Sequence, residues 1–300
     1  MDTKNPTTVA SIPEPSMSVK KFVLTLACDD RQGIVAAVGN CIAAQSGNIM
    51  ESGQYVDPDN NRFFMRVCFI VDEKLSMDGF KQGFAPVALA YGMDWQVYDL
   101  NIKPRVMIMV SQLGHCLNDL LYRNSINQLP MELVSLVSNH QTFRRRAEHE
   151  GIPFFHMPIT AENKVEQEAL MLELVREQKI DLIILARYMQ ILSDDLSREL
   201  AGKVINIHHS FLPSFKGARP YHQAHSRGVK LIGATAHYVT ADLDEGPIIE
   251  QNVHRVDHTA TADDMVAIGR DTESHVLAKA VKLHLEHRIL LNEDRTVIFH

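Results

Sequence analysis

Asn206 and His208 stand two residues apart in Val204-Ile205-Asn206-Ile207-His208, and their types and spacing offer this sequence its first chance of chemistry. Alternate side chains of an extended strand share a face, so Val204, Asn206 and His208 point one way and the two isoleucines the other. An amide and an imidazole therefore meet at the end of a strand whose other residues are apolar. In open α/β sheets ligands sit in the crevice beyond the carboxyl ends of the strands, which makes this pair a candidate site. The competing reading of the pair is that both side chains satisfy loop backbone groups. Asp244, in Leu243-Asp244-Glu245-Gly246-Pro247, is a third candidate, because a carboxylate near an imidazole suits general acid/base work. In isolation it reads equally well as a turn aspartate.

Histidines crowd the same region: His208, His209, His222, His225 and His237. Imidazole is a common zinc ligand, but His222-x-x-His225 lacks a third ligand at a recognised spacing. Neither a metal nor a cofactor is expected.

Elements must carry these residues to one another. From Arg105 onward strands alternate with longer helices, which predicts a doubly wound, mostly parallel α/β domain over residues 103–300, entered through Lys103-Pro104. Strands are expected at 106–111, 131–138, 181–186 and 203–208. Helices are expected at 117–122, 142–150, 164–178 and 196–201, with a last one around 276–287. The 164–178 helix carries Val165, Ala169, Leu172 and Val175 on one stripe, and Ser193 caps the 196–201 helix, which Gly202 stops. Residues 19–102 read instead as βαββαβ, a split-βαβ (ferredoxin-like) sandwich. Its first helix shows Val35, Val38 and Ile42 on one stripe, its second Phe80, Phe84, Val87 and Tyr91. Residues 1–18, with three prolines among polar residues and no signal-peptide pattern, are expected to be a disordered leader.

Composition excludes several functions. Apolar residues at 45% and charged residues at 22% describe a soluble globular chain. A formal charge of -7 opposes a nucleic-acid partner, which would need a basic surface. No apolar run approaches the ~20 residues of a membrane span. The scattered Cys28, Cys41, Cys68 and Cys116 suggest free thiols in a reducing cytosol, hence a cytoplasmic protein.

Two longer phrases break the tie left by the strand pair. Ser210-Phe-Leu-Pro213-Ser-Phe-Lys-Gly217 and Gly233-Ala-Thr-Ala-His237-Tyr-Val-Thr-Ala-Asp-Leu-Asp244-Glu-Gly246-Pro247 resemble the glycinamide ribonucleotide formyltransferase-like family of folate enzymes. Its signature is an Asn-x-His strand end, a Ser-x-Leu-Pro turn and a Leu-Asp-x-Gly-Pro loop, and the resemblance spans about residues 105–290. It implies that Asn206 donates to a formyl oxygen, His208 stabilises the developing oxyanion, and Asp244 organises a water and moves protons. It also implies a folate pocket along Met189, Ile191, Leu192, His237, Val239 and Leu243, with Gln190 where the family often has arginine. The N-terminal order, together with Asp29-Asp30-Arg31-Gln32-Gly33-Ile34-Val35, resembles an ACT domain. That implies a homodimer or homotetramer and an amino acid effector held at Gly33, where a helix starts.

The nucleophile is read from the loop after the first strand of the α/β domain. A phosphorylated acceptor needs a glycine-rich loop at a helix N-terminus. Here Ser111-Gln112-Leu113-Gly114-His115-Cys116-Leu117 has one glycine, with a leucine and a histidine where phosphate would approach. Together with Gly217-Ala-Arg-Pro-Tyr221-His222-Gln-Ala and His209, this is similar to the branch of the family that uses water. The resemblance implies hydrolysis of 10-formyltetrahydrofolate to formate and tetrahydrofolate, a step linked to one-carbon metabolism and purine biosynthesis, with His209 and Tyr221 shaping the water site. Two alternatives stay open: transfer to an unphosphorylated amine, and a folate or amino acid sensor without turnover.

Overall fold

Near residue 102 the spacing of apolar residues changes character, and the backbone changes architecture with it. The computed structural model describes residues 19–210 and 220–300, and the chain divides into two compact units between Asn101 and Ile102. The leader at 1–18 and most of the Ser-x-Leu-Pro phrase, residues 211–219, lie outside the described residues.

In the first unit, β1 (Val19–Asp29), α1 (Ile34–Ala44), β2 (Asn48–Asp57), β3 (Arg62–Asp72), α2 (Met77–Tyr91) and β4 (Asp94–Asp99) form the expected βαββαβ order. All strand pairs are antiparallel, in the order β2-β3-β1-β4. Phe22, Leu24 and Leu26 of β1 and Phe63, Met65, Val67 and Phe69 of β3 meet both helices in one apolar core. Phe80 packs edge-on against Phe22 and stacks on Phe84 of its own helix. The α1 stripe begins at Ile34, whereas Val35 is exposed. Gly33 precedes this helix at φ 91, a left-handed conformation that a Cβ would strain.

The second unit runs β5 (Arg105–Val110), α3 (His115–Ser125), β6 (Glu132–Ser138), α4 (Arg144–His149), β7 (Phe154–His156), α5 (Lys164–Glu177), β8 (Leu182–Leu185), α6 (Asp194–Glu199), β9 (Val204–His208), α7 (Pro220–Ser226), β10 (Leu231–Tyr238), β11 (Ile248–Arg255), α8 (Ala262–Leu285), β12 (Ile289–Asn292) and β13 (Arg295–Ile298). Seven strands form one sheet in the order β11-β10-β9-β8-β5-β6-β7. Five of them are parallel, and the chain then turns back through antiparallel β10 and β11. The last two strands make a separate hairpin.

Strand alternation splits the core of this unit in two. Ile205 and Ile207 face the layer holding α3 and α8, beside Cys116, Val276 and Leu277. Val204 faces the other layer, with Leu174 of α5 and Leu196 of α6. Thr261 and Asp264 close the start of α8 in a reciprocal capping box. Ser193 caps α6 by accepting from Leu196 N–H at 3.2 Å. The α5 stripe differs from the expected one: Met171, Leu174 and Val175 are buried together with Glu168, and Val165 is 84% exposed. Glu168 is buried because its Oε1 accepts the Ser193 N–H at 2.9 Å, which ties α5 to the loop leaving β8.

Candidate active site

At the carboxyl end of β9 the register with β10 sets Asn206 directly opposite His237, and His208 opposite Thr235. Directly opposed residues in an antiparallel pair bring their side chains together. Asn206 Nδ2 lies 3.3 Å from His237 Nε2, and His237 Nδ1 lies 2.8 Å from the Tyr238 carbonyl. A carbonyl only accepts, so Nδ1–H donates to it and Nε2 is turned toward the Asn206 amide. That contact takes one amide N–H and orients the group.

The loop between β10 and β11 brings the carboxylate back over β9. Gly246 makes the turn possible: a Cβ there would stand 1.9 Å from the Tyr238 carbonyl oxygen. Asp244 itself takes φ 59, a left-handed conformation that aspartate tolerates better than most residues. Its Oδ2 lies 3.2 Å from His208 Nδ1 and its Oδ1 lies 3.7 Å from His237 Nε2. The contacts with His208 and then His237 hold the Asp244 carboxyl well below the usual carboxylate range, against the opposing effect of burial. His208 Nε2 is buried and has no hydrogen-bond partner among the described residues. A buried imidazole whose inner nitrogen is bound to a carboxylate and whose outer nitrogen is free can serve a reacting oxygen.

These groups line a cleft of about 430 Å³. Met189, Ile191, Leu192, His209, His237, Val239 and Leu243 line it as well, together with Asn206, His208 and Asp244. Met189, Ile191 and Leu243 are exposed at its edge, while Leu192 is buried. Tyr221 is absent from these walls. Its hydroxyl donates to Glu273 Oε1 at 2.7 Å, and its ring fits against Gly269, where a Cβ would come within 2.1 Å of it. The expectation that Tyr221 shapes a water site in the cleft is corrected: its polar tip is spent on a buried carboxylate. His222 and His225 lie on the exposed face of α7.

Three residues that sequence reasoning missed adjoin the cleft. Arg187 follows β8 at φ 62, lines the cleft, and has a buried Nε without a hydrogen-bond partner among the described residues, 3.4 Å from Glu273 Oε2. Ser111 ties that loop to β5, its N–H donating to the Arg187 carbonyl at 3.3 Å and its hydroxyl accepting from Met189 N–H at 2.9 Å. Glu273 of α8 accepts from His115 Nε2 at 2.6 Å and from Tyr221. Burial raises the Glu273 carboxyl, but His115, Arg187 and Tyr221 outweigh it and hold the group below its ordinary value. A charged residue directly after an all-apolar strand was the available signal for Arg187. None marked Glu273. His209 is pushed down to about 4, by burial first and then by the Arg187 and His208 charges, so the ring is neutral near pH 7.

His115, Cys116 and Glu273 present ligand atoms within 4.8 Å of one another. A metal there would need a thiolate and an open carboxylate. Burial, and next the Glu273 charge, push the Cys116 thiol far up, and Glu273 is already engaged by His115 and Tyr221. The cluster is better satisfied by protons than by a metal.

Known proteins share this architecture. The formyl transferase family is matched over residues 104–281. The chain is 50% identical over 279 residues to the formyltetrahydrofolate deformylase of Corynebacterium sp. (strain P-1), covering 93% of this chain and 98% of that one. The Bacillus subtilis (strain 168) formyltetrahydrofolate deformylase is 45% identical, with 92% and 93% covered. Among solved structures, a formyltetrahydrofolate deformylase from Burkholderia mallei superposes with a TM-score of 0.89 at 50% identity, covering 94% of this chain and all of that one. A phosphoribosylglycinamide formyltransferase from Anaplasma phagocytophilum gives 0.59 at 31% identity, and covers 66% of this chain and 96% of that one. On these grounds the chain belongs to the formyltetrahydrofolate deformylases, within the wider formyl transferase family.

Proposed function

We propose that this protein hydrolyses 10-formyltetrahydrofolate to formate and tetrahydrofolate. The observation that carries the reading is the Asp244 carboxylate set against His208 and His237 in the cleft that Asn206 also lines. The free Asn206 N–H polarises the formyl carbonyl, and water adds to its carbon. The water proton passes to the Asp244–His208 pair. Charge collects on the carbonyl oxygen, where the amide N–H and a protonated His208 Nε2 stabilise it. Fixed donors of this kind contribute about 10²–10³ in rate each. The carbon–nitrogen bond then breaks, the folate nitrogen takes the proton back from His208, and the formic acid so formed gives its remaining proton to solvent and leaves as formate. Asp244 is ionised at neutral pH, so it balances the imidazolium throughout.

Met189, Ile191, Leu192, Val239 and Leu243 supply apolar surface for the pteridine, and His209 borders the place of the attacking water as a neutral ring. The formyl donor is itself the substrate, and the chemistry uses no further cofactor. The ACT-like unit pairs copies of the chain, and an amino acid effector at Gly33 is supported by the left-handed turn that opens α1. A cytoplasmic location is supported by four free cysteines; no helix among the described residues is long and apolar enough to cross a membrane.

The test is to incubate the protein with 10-formyltetrahydrofolate, with and without primary amines, and follow formate. Stoichiometric formate that amines do not diminish supports hydrolysis. Formyl loss that requires an amine, without free formate, would overturn it.

A further inference from the structure

A polar side-chain atom buried without a hydrogen bond is costly, so each one in a folded chain calls for a reason. Among the described residues three such atoms remain, Arg187 Nε, His208 Nε2 and His209 Nδ1, and all three residues line the same cleft. The rings of His208 and His209 stand edge to face there, with 4.8 Å between their centroids. The reaction set out above uses His208 and leaves Arg187 without a part. The Arg187 side chain is only 10% exposed. Its backbone, at φ 62, is pinned from both sides: the Arg187 N–H donates to the Leu185 carbonyl at 3.1 Å, and its carbonyl accepts from the Ser111 N–H at 3.3 Å. A strained backbone of this kind persists where its surroundings enforce it, and such places cluster at binding sites. Glu273 Oε2 balances the charge from 3.4 Å without taking a hydrogen bond from Arg187 Nε, and the two Glu273 oxygens accept from His115 and Tyr221 instead.

We propose that Arg187 is a further catalytic residue, whose guanidinium binds the oxygen that water supplies, first in the tetrahedral adduct and then in formate. The proposal rests on the hydrolytic reading above and gives its nucleophile a partner. Asn206 and His208 serve the carbonyl oxygen, which leaves the second oxygen of the adduct without a donor. Arginine has N–H donors and no acceptor. A water oxygen carries two lone pairs, so one attacks the formyl carbon while the other accepts from the guanidinium. A primary amine has a single lone pair, which the attack consumes, and it would turn N–H groups toward a side chain that can only donate. Arg187 therefore favours water over an amine. As the water proton passes to the Asp244–His208 pair, the new oxygen gains negative charge beside a fixed cation. Once the carbon–nitrogen bond has broken, both oxygens belong to one planar acid, and its carboxylate form matches the guanidinium fork. That match favours loss of the last proton to solvent.

The experiment measures binding of labelled formate to the full-length protein by carbon NMR line broadening, and steady-state hydrolysis of 10-formyltetrahydrofolate, for the unaltered protein, Arg187→Met and Arg187→Lys. The lysine variant keeps a charge beside Glu273 without the planar fork, so it serves if the methionine variant does not fold. The unaltered protein is expected to bind formate saturably. In Arg187→Met that affinity should weaken roughly tenfold or more, the scale of a lost hydrogen bond to a charged group, and in Arg187→Lys it should weaken by less. In both variants kcat should fall while KM for the folate stays within about threefold, because the lost contact is made to the reacting oxygen and not to the folate. A merely structural Arg187 would raise KM together with the fall in kcat, and that pattern would overturn the proposal. So would a folded variant that binds formate as well as the unaltered protein does, or an unaltered protein that does not bind it. Formate release by the unaltered protein is scored separately: its absence would defeat the hydrolytic reading, while the binding comparison would still decide whether Arg187 holds a carboxylate.

Discussion

Two polar clusters stand at the carboxyl end of the seven-stranded sheet, and they solve opposite problems. On the layer shared with α5 and α6, Asn206, His208 and Asp244 line an open cleft, and His208 Nε2 is left without a partner among the described residues. On the layer shared with α3 and α8, Glu273 is closed in by His115 and Tyr221, and both of its oxygens are engaged. Groups of the same chemistry, a carboxylate and an imidazole, thus make an open cluster, the proposed reaction centre, and a closed one in which both carboxylate oxygens are engaged. Arg187 lies between them, facing the cleft and Glu273 at once. Chemistry is retained where hydrogen bonding is left incomplete, because an unsatisfied buried polar atom holds a place for substrate.

The largest effect that would break this contrast concerns the open cluster. Asp244→Asn keeps the shape but removes the charge that balances an imidazolium, so kcat should fall by about 10²–10⁴, as for loss of general acid–base assistance. Steady-state formate release measures it, and a fall under about threefold would erase the distinction. On the closed side, Glu273→Ala should leave Arg187 uncompensated and cost about 3–5 kcal/mol of stability, as when one partner of a buried ion pair is removed. Urea denaturation checks this; an unchanged midpoint would make Glu273 a bystander. Gly269→Ala drives a Cβ to within 2.1 Å of the Tyr221 ring and should cost about 1–3 kcal/mol through overpacking. That loss should shrink in a Tyr221→Ala background.

The smallest effect is electrostatic. His284 and His209 are both pushed down to about 4, burial being the first cause in each, while an unfolded histidine titrates near about 6.5. Between those values the unfolded chain binds more protons than the folded one. Stability therefore rises with pH from about 4 to 6.5, at no more than about 1.4 kcal/mol per pH unit for each group. His209, partly open to the cleft, contributes less. The Tyr238 hydroxyl lies 2.7 Å from His284 Nδ1, in keeping with a neutral ring. His284→Asn keeps an acceptor for that hydroxyl and should flatten the pH dependence of melting. An unaltered slope would mean that His284 does not titrate on unfolding.

The open cluster was legible in the sequence because its members obey short-range rules. The period of two in β9 placed Asn206 and His208 on one face, and the Leu-Asp-x-Gly-Pro phrase marked the loop that returns Asp244. The closed cluster was not, since His115, Tyr221 and Glu273 come from three helices and no local pattern relates them. Tyr221 was assigned to the cleft by the family resemblance alone. The α5 stripe was misplaced by a similar blindness: counting apolar residues chose Val165, whereas the buried face contains Glu168, whose carboxylate is satisfied by a backbone N–H beyond β8. The three-residue strand β7 and the β12–β13 hairpin are too short to show a period. The alternation of strands and long helices, and the change near residue 102, were strong enough to give both architectures.

The central claim is that water, activated at Asp244 and His208, is the formyl acceptor. Hydrolysis in water labelled with heavy oxygen, followed by mass spectrometry of the formate, tests it most directly. The account predicts one labelled oxygen in each formate released, one formate for each tetrahydrofolate formed, and the loss of that release in Asp244→Asn. Unlabelled formate, or tetrahydrofolate appearing without formate, would contradict it.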